Sequence, residues 1–325
     1  MVTATRDVTT PGLAPAGMVW VPGGTAAMGS DRHYPEEAPA RPVAVSGFWM
    51  DRAPITVARF RRFVQATDYV TLAERTPDPA RYPDAPPHML LPGSLVFQKT
   101  RGPVPLDDFR QWWAYVPGAD WKHPDGPGGS VSGKAQHPAV HVAYEDAEAY
   151  ATWAGATLPT EAEWERAARG GLAGATYTWG DEFMPGGKPM ANTWQGRFPH
   201  ENTRDDGHEG TSPVGTYPAN GYGLVDMAGN VWEWTADWWG AAHTPVASPC
   251  CAPADPRGAS PEDSHDPADA ARTPRRVIKG GSHLCAPSYC LRYRPAARSP
   301  QAMDSSTSHL GFRCIVRPVQ ASEGR

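Results

Sequence analysis

Glycine and proline interrupt this chain so often that few long regular elements can form: 33 glycines and 36 prolines fall among 325 residues. Proline ends helices and removes a ladder donor from strands, while glycine loses more backbone freedom on ordering than any other residue. Such a composition by itself points to disorder, but disordered chains are poor in aromatic residues. Here 13 tryptophans lie among the glycines. The combination predicts one loop-rich α+β domain, with short antiparallel strands and few helices, whose loops are pinned by large buried rings.

The remaining global features exclude several classes. A formal charge of −5 gives no electrostatic footprint for nucleic acid or an anionic membrane surface. No stretch approaches the roughly 20 apolar residues a membrane helix needs. The first residues lack an apolar core behind a basic start, so a secretory leader is not read there and a cytoplasmic protein is expected. Stable disulfides are then disfavoured. Residues 1–17 read as a flexible tail, 18–317 as the domain, 241–275 as a low-complexity exposed loop insert, and 318–325 as a second tail.

Along the chain, MVWVPGGTAAMGS (18–30) reads as two short strands around a Gly-Gly turn, and PVAVSGFWMDRAPIT as one further strand. TVARFRRFVQATDY predicts a helix capped by Thr56, with Val57, Phe60 and Val64 on one face. HPAVHVAYEDAEAYATWAG (137–155) predicts a second, with Ala147, Tyr150, Ala151 and Ala154 at helical spacing. LPTEAEWERAARGG predicts a third, with Thr160 and Glu163 as a capping box, Trp164 and Ala168 inward, and Gly170-Gly171 as the stop. Residues 75–135 show no clear periodicity and read as an irregular but ordered loop region, since Trp112, Trp113 and Trp121 suit a solvated linker poorly.

Near the C-terminus, Cys285 and Cys290 stand in KGGSHLCAPSYCLRYRPAARS. A C-x4-C pair is a weak signal on its own. It is compatible with a disulfide, a redox dithiol or a metal site. Zinc ordinarily takes four ligands, and beyond His283 and His309 no second cysteine pair with zinc spacing exists. Thiolates are soft donors that favour copper(I).

Several motifs in this order, MVWVPGG, MGS, LPTEAEWERAARGG, YTWGDE, NTWQG, GYGLVDMAGNVWEWT, RVIKGGS and LGFRC, resemble the formylglycine-generating enzyme (sulfatase-modifying factor) family from Met18 to Val316. The resemblance implies a single loop-rich α+β domain related to C-type lectins. GGSHLCAPSYCLRYR followed by AARS and DSSTSHLGFRC is similar to the family's active-site segment. It implies that Cys285 and Cys290 bind copper(I). It also implies that O2 is used to oxidise the cysteine of a Cys-x-Pro-x-Arg motif in an unfolded sulfatase to Cα-formylglycine. A third sulfur, that of the substrate cysteine, would join the two thiolates; loss of a β-hydrogen would give a thioaldehyde, which water hydrolyses.

Further roles come by the same resemblance. Ser282 would hydrogen-bond a reduced oxygen species or water, and Trp232 would wall the O2 site, with core packing as the alternative. Tyr289, Arg298, Ser306 and His309 match substrate-groove positions. His309 departs from the Asn of some relatives, and Arg298 equally suits a structural ion pair. NTWQG…TRDDGH implies a structural calcium site of Asn192, Thr193, Asp206 and His208. DMAGNVWE implies a second of Asp226, Gly229, Val231 and Glu233, with ordinary Asx-turns as the plainer reading of the first. Cys314, whose partner in some secreted relatives is replaced here by Ala151, reads as a buried free thiol. Cys250 and Cys251 read as exposed and incidental.

Two other functions stay open at this level. One is a non-haem-iron sulfoxide synthase, which needs a histidine-bearing helical bundle that the short segment before Met18 cannot supply; the spacing of His137 and His141 reads as structural. The other is a non-catalytic binding module on the same fold, which gives no reason for the paired cysteines.

Overall fold

The computed structural model describes residues 13–243, 252–269 and 271–318. Their regular structure is sparse, as the Gly/Pro density requires. Eleven short strands run as β1 Met18–Val21, β2 Gly24–Met28, β3 Arg41–Val45, β4 Phe48–Asp51, β5 Gly93–Phe97, β6 Trp113–Pro117, β7 Trp232–Trp238, β8 Arg275–Lys279, β9 Arg298–Ala302, β10 Leu310–Gly311 and β11 Ile315–Val316. Three α-helices accompany them: α1 Val57–Thr67, α2 Tyr144–Trp153 and α3 Glu161–Arg169. The strands form a four-stranded sheet β10-β7-β8-β9, a three-stranded sheet β1-β4-β11, and the pairs β2-β3 and β5-β6. No helix among the described residues is long and apolar enough to cross a membrane.

The helix ends follow their capping residues. Thr56 caps α1 through its hydroxyl, which accepts from Arg59 N, and Asp68 in the left-handed region (φ 51°) ends it. The buried face is Val57, Phe60 and Phe63, with Val64 only half-buried, so the inward stripe is rotated slightly from the expected one. Phe60 meets Trp121 edge-on at 5.4 Å and stacks on Tyr150 of α2 at 6.1 Å, joining the first two helices to the tryptophan-rich segment. α3 has the reciprocal Thr160/Glu163 box and stops at Gly170 (φ 56°), with Trp164 and Ala168 fully buried.

Three expectations are corrected. Residues 137–143 are not helical, because Pro138 cannot join a helix interior and His141 sits at φ 57°; the helix begins only at Tyr144. The two strands expected around the Gly-Gly turn are both present, β1 running against β4 and β2 against β3, so the turn carries the chain between sheets. The stretch after Pro42 likewise holds two strands, split at Ser46-Gly47, where a Cβ on Gly47 would overlap the Trp20 ring. Residues 75–135 contain the antiparallel pair β5-β6 in register from Gly93↔Pro117 to Phe97↔Trp113.

Within the 241–275 segment, Asp255 accepts from Ser46 N and Oγ, Arg257 pairs with Asp237, and Ser264 is fully buried, so the described part is docked onto the domain. Cys250, Cys251, most of the expected N-terminal tail and all but the first residue of the C-terminal tail lie outside the described residues.

Buried ion pairs supply connections that regular structure does not. Arg313 and Glu233, both wholly buried, form a two-pronged pair with 2.7 Å from Nε to Oε2 and from Nη2 to Oε1. Lys279 reaches Glu161 (3.4 Å) and Glu165 (3.1 Å), and Arg294 clasps Glu37. Cys314 is buried and free, with its thiol pushed well above the ordinary value by burial and the nearby Asp51 carboxylate.

Candidate active site

The two glycines that follow β8 make the site. Gly280 (φ 94°) and Gly281 (φ 68°) turn the chain back against Tyr293, and a Cβ on Gly281 would lie 2.9 Å from Tyr293 N. The next residues coil into consecutive tight turns, with Cys285 N donating to Ser282 O (2.9 Å) and Cys290 N to Ala286 O (2.8 Å). The cysteine Cα atoms are thereby brought within 4.6 Å, and the two residues are disulfide-bonded. Neighbouring loops hold this coil in place. Trp194 N donates to Cys285 O, and His283 meets Asn230 O through its backbone N–H (3.0 Å) and through Nδ1 (2.8 Å).

Above the cysteines lies a cavity of about 650 Å³ lined by Cys285, Cys290, Ser282, Trp232, Tyr289 and His309, with Glu36 and Arg292 further out. Trp232 opens β7, and its N–H donates to His309 O at 2.8 Å where β10 runs parallel to β7. Ser282 is fully buried, its Oγ accepting from Leu284 N. Tyr289 stacks on Phe198 at 4.4 Å with a 2° interplanar angle and meets Trp112 edge-on at 5.3 Å. His309 packs on Trp113 at 4.7 Å; burial, then the neighbouring His283 and His141, hold its pKa well below the ordinary value, so it is neutral at pH 7. The walls are therefore aromatic and uncharged around the sulfurs, with one ion pair, Arg292–Glu36 at 2.7 Å, near the outer edge.

Two of the expected groove residues stand elsewhere. Arg298 is 2 % exposed and committed: Nη2 donates to Glu161 Oε2 (2.9 Å), Nη1 to Gly240 O (2.9 Å), and its guanidinium covers Trp239. Ser306 is buried against Ser94, Oγ to Oγ 2.7 Å. Neither is among the residues lining the cavity. His137 and His141 are likewise engaged, the first by Thr211 Oγ1 and the second by Ser94 Oγ and Pro124 O; burial pushes the His141 pKa down to about 4. Trp112, Trp113 and Phe198 also line the cavity. Their sequence signal is confined to the poor fit of the two tryptophans to a solvated linker, and nothing in the sequence brings residues 112, 198 and 289 together.

With the disulfide reduced, Cys285 and Cys290 would present two soft thiolate donors side by side in a cavity with room for a third, a donor set that fits copper(I) by type. For calcium, the segment bearing Asn192 and Asp206 folds back on itself: Thr203 N donates to Gln195 O, and Asn192 Nδ2 to Gly210 O. Asn192 Oδ1 and the His208 carbonyl are hard donors here, while Thr193 O accepts from Gln195 Nε2 and Asp206 accepts from His208 N and Tyr217 OH. These oxygens fit calcium by type. The second set fits less well. Both Glu233 oxygens accept from Arg313, one also from Trp164 Nε1, and Asp226 Oδ2 accepts from Gly215 N. Gly229 and Val231 keep their carbonyls, but the Glu233 side chain is already spoken for.

Comparison with known proteins gives concordant results. Residues 5–318 match the sulfatase-modifying factor enzyme 1-like domain. The chain is similar to a formylglycine-generating enzyme from Mycobacterium tuberculosis, 55 % identical over 93 % of this chain and 98 % of that protein. It is also similar to one from Thermomonospora curvata, 48 % identical over 93 % and 94 % respectively. Among solved structures, PvdO from Pseudomonas aeruginosa shares the fold, with a TM-score of 0.60 over 92 % of this chain and 93 % of that one, at 24 % identity.

Proposed function

Because the chain belongs to the sulfatase-modifying factor enzyme 1-like family and is an oxidase of the formylglycine-generating type, we propose that Cys285 and Cys290 hold copper(I) in the reduced protein and act on the cysteine of a Cys-x-Pro-x-Arg segment. That segment belongs to an unfolded sulfatase, and the product is Cα-formylglycine. The observation that carries this reading is the pairing of two thiol residues, Cα 4.6 Å apart, in a cavity of about 650 Å³ walled by aromatic rings.

When bound, copper(I) would bring the substrate sulfur to its thiolate form and make O2 chemistry available beside it. The chain's own residues do the rest. The apolar walls of Trp112, Phe198, Tyr289 and Trp232 exclude bulk water and hold an extended peptide by its side chains. The Ser282 hydroxyl sits at the cavity wall as a proton donor or acceptor, and neutral His309 adds no charge to compete with the sulfurs. The overall change removes two electrons from the substrate's Cβ–S unit. Sulfur leaves as hydrogen sulfide, the aldehyde oxygen comes from water, and a thiol reductant supplies two further electrons that take O2 to water. A cytoplasmic setting, which is also proposed, keeps both cysteines reducible.

The test is direct: reduced protein with one equivalent of copper(I), aerated buffer and a peptide containing Cys-x-Pro-x-Arg. Conversion lowers the peptide mass by about 18 Da as CH2SH becomes CHO. A folded, copper-loaded protein that leaves the peptide unchanged would refute the reading.

Calcium is proposed as a structural ion bound by Asn192, Thr193, Asp206 and His208. The loop of Asp226, Gly229 and Val231 is a second position, reached without the Glu233 side chain. Chelation is expected to lower the thermal midpoint, and calcium, not magnesium, to restore it, because the flexible oxygen set suits the larger ion. An unchanged midpoint after verified calcium removal counts against both positions.

A further inference from the structure

Behind the inner wall of the cysteine cavity lies a second one of about 420 Å³. Val57, Val96, Trp121, Val140 and Trp194 form a buried apolar part of its lining, while polar residues, among them the exposed Lys99, Asp125 and Glu209 and also Lys134, His137 and Asn202, form the rest. Among the described residues Leu284 alone lines both cavities. Its side chain is 94 % buried, and the next residue is Cys285. The backbone on either side is fixed: Leu284 N donates to Ser282 Oγ, His283 N to Asn230 O, and Trp194 N to Cys285 O. The Leu284 side chain forms no hydrogen bond and is held by packing alone, in a buried cluster with Trp112, Trp194, Phe198 and Ala286.

The front cavity has a competing demand on it. A peptide seated there covers the sulfurs that O2 must reach. O2 is small and apolar, and it partitions into apolar cavities in preference to water. From this geometry we infer that the rear cavity is the O2 entrance to the cysteine pair, and that Leu284 is the partition O2 crosses while peptide fills the front. This rests on the proposed oxidase reading. Water is the competing occupant, since the indole N–H groups of Trp121 and Trp194 are buried without a protein acceptor.

Two measurements on the copper-loaded protein separate the possibilities. In the first, peptide conversion is followed against O2 concentration. Val140→Phe places a ring in the rear cavity without touching the cysteine cavity, and is expected to raise KM for O2 about threefold or more with peptide KM and copper stoichiometry unchanged. Leu284→Ala joins the cavities and is expected to lower KM for O2. Val96→Phe replaces Val140→Phe if the latter melts early. In the second, xenon serves as the apolar probe in crystals under pressure, with occupancy expected in the rear cavity of the parent protein and absent in Val140→Phe. Well-folded filling variants with an unchanged KM for O2, or a rear cavity that takes only water under xenon, would overturn the inference. Failure of the parent protein to convert peptide at all would defeat the oxidase reading, whereas the xenon result reads the cavity by itself.

Discussion

Replacing either Cys285 or Cys290 by alanine is expected to abolish peptide conversion, by about 10³-fold or more, and to remove stoichiometric copper(I) binding while leaving the fold intact. The large effect follows from chelation. The coil from Ser282 to Cys290 holds the two residues with Cα atoms 4.6 Å apart, and either sulfur alone is a single weak tether. The small structural effect follows from how the coil is fixed, through backbone bonds to Asn230 and Trp194 rather than through the sulfurs alone. Copper titration against a competing chelator, circular dichroism and peptide mass together test all three parts. Cys314→Ala is the matched control. Its thiol is buried and held protonated by burial, so its removal should leave conversion unchanged. Substantial activity in Cys290→Ala would show that the pair does not act as a unit.

Arg313→Met is expected to be the most destabilising single substitution away from the cysteines, costing roughly 3–5 kcal/mol. The guanidinium bonds both Glu233 oxygens and also donates to the carbonyls of Asp51, Arg52, Val225 and Asp226. Removing it leaves a carboxylate in a fully buried position with Trp164 Nε1 as its remaining donor among the described residues, and strips several carbonyls of theirs. Arg313→Lys should be nearly as damaging, because an ammonium cannot span two carboxylate oxygens and four carbonyls. Urea unfolding followed by tryptophan fluorescence measures the loss. A change below about 1 kcal/mol would mean that the junction is peripheral to stability.

The comparison between sequence and structure divides along the range of the interactions. Local chemistry was legible: Thr56 caps α1, the Thr160/Glu163 box opens α3, Gly170 ends it, and the α+β class follows from the Gly/Pro/Trp balance. Where two local signals conflicted, the pattern misled. Ala147, Tyr150 and Ala151 at helical spacing do lie on the second helix, but the expected start at residue 137 is overruled by Pro138 and the left-handed His141, which hold that stretch open. The β5-β6 pair leaves no hairpin signal in the sequence because a long irregular connection, rather than a two-residue turn, joins its strands. At the site, the cysteine pair and, through the family resemblance, Ser282, Trp232, Tyr289 and His309 are legible in the sequence, whereas the walls from Trp112, Trp113 and Phe198 come from segments whose meeting no local signal encodes. Arg298 illustrates the same limit. Its motif suggests a groove residue, yet its partner Glu161 lies 137 positions away and draws the guanidinium inward.

The three-stranded sheet has a consequence for how the protein is made. β1 and β11 flank β4 on either side, with Ile315 opposite Met50 and Met18 opposite Asp51. β4 is among the first strands to leave the ribosome, and its second neighbour is among the last. Until Ile315–Val316 emerges, one edge of β4 is without its partner while the intervening chain is translated. An unpaired apolar edge of this kind invites pairing with another nascent chain. Chaperone dependence should therefore concentrate in the interval before synthesis ends, and should fall in a circular permutant that brings the two edge strands off the ribosome together.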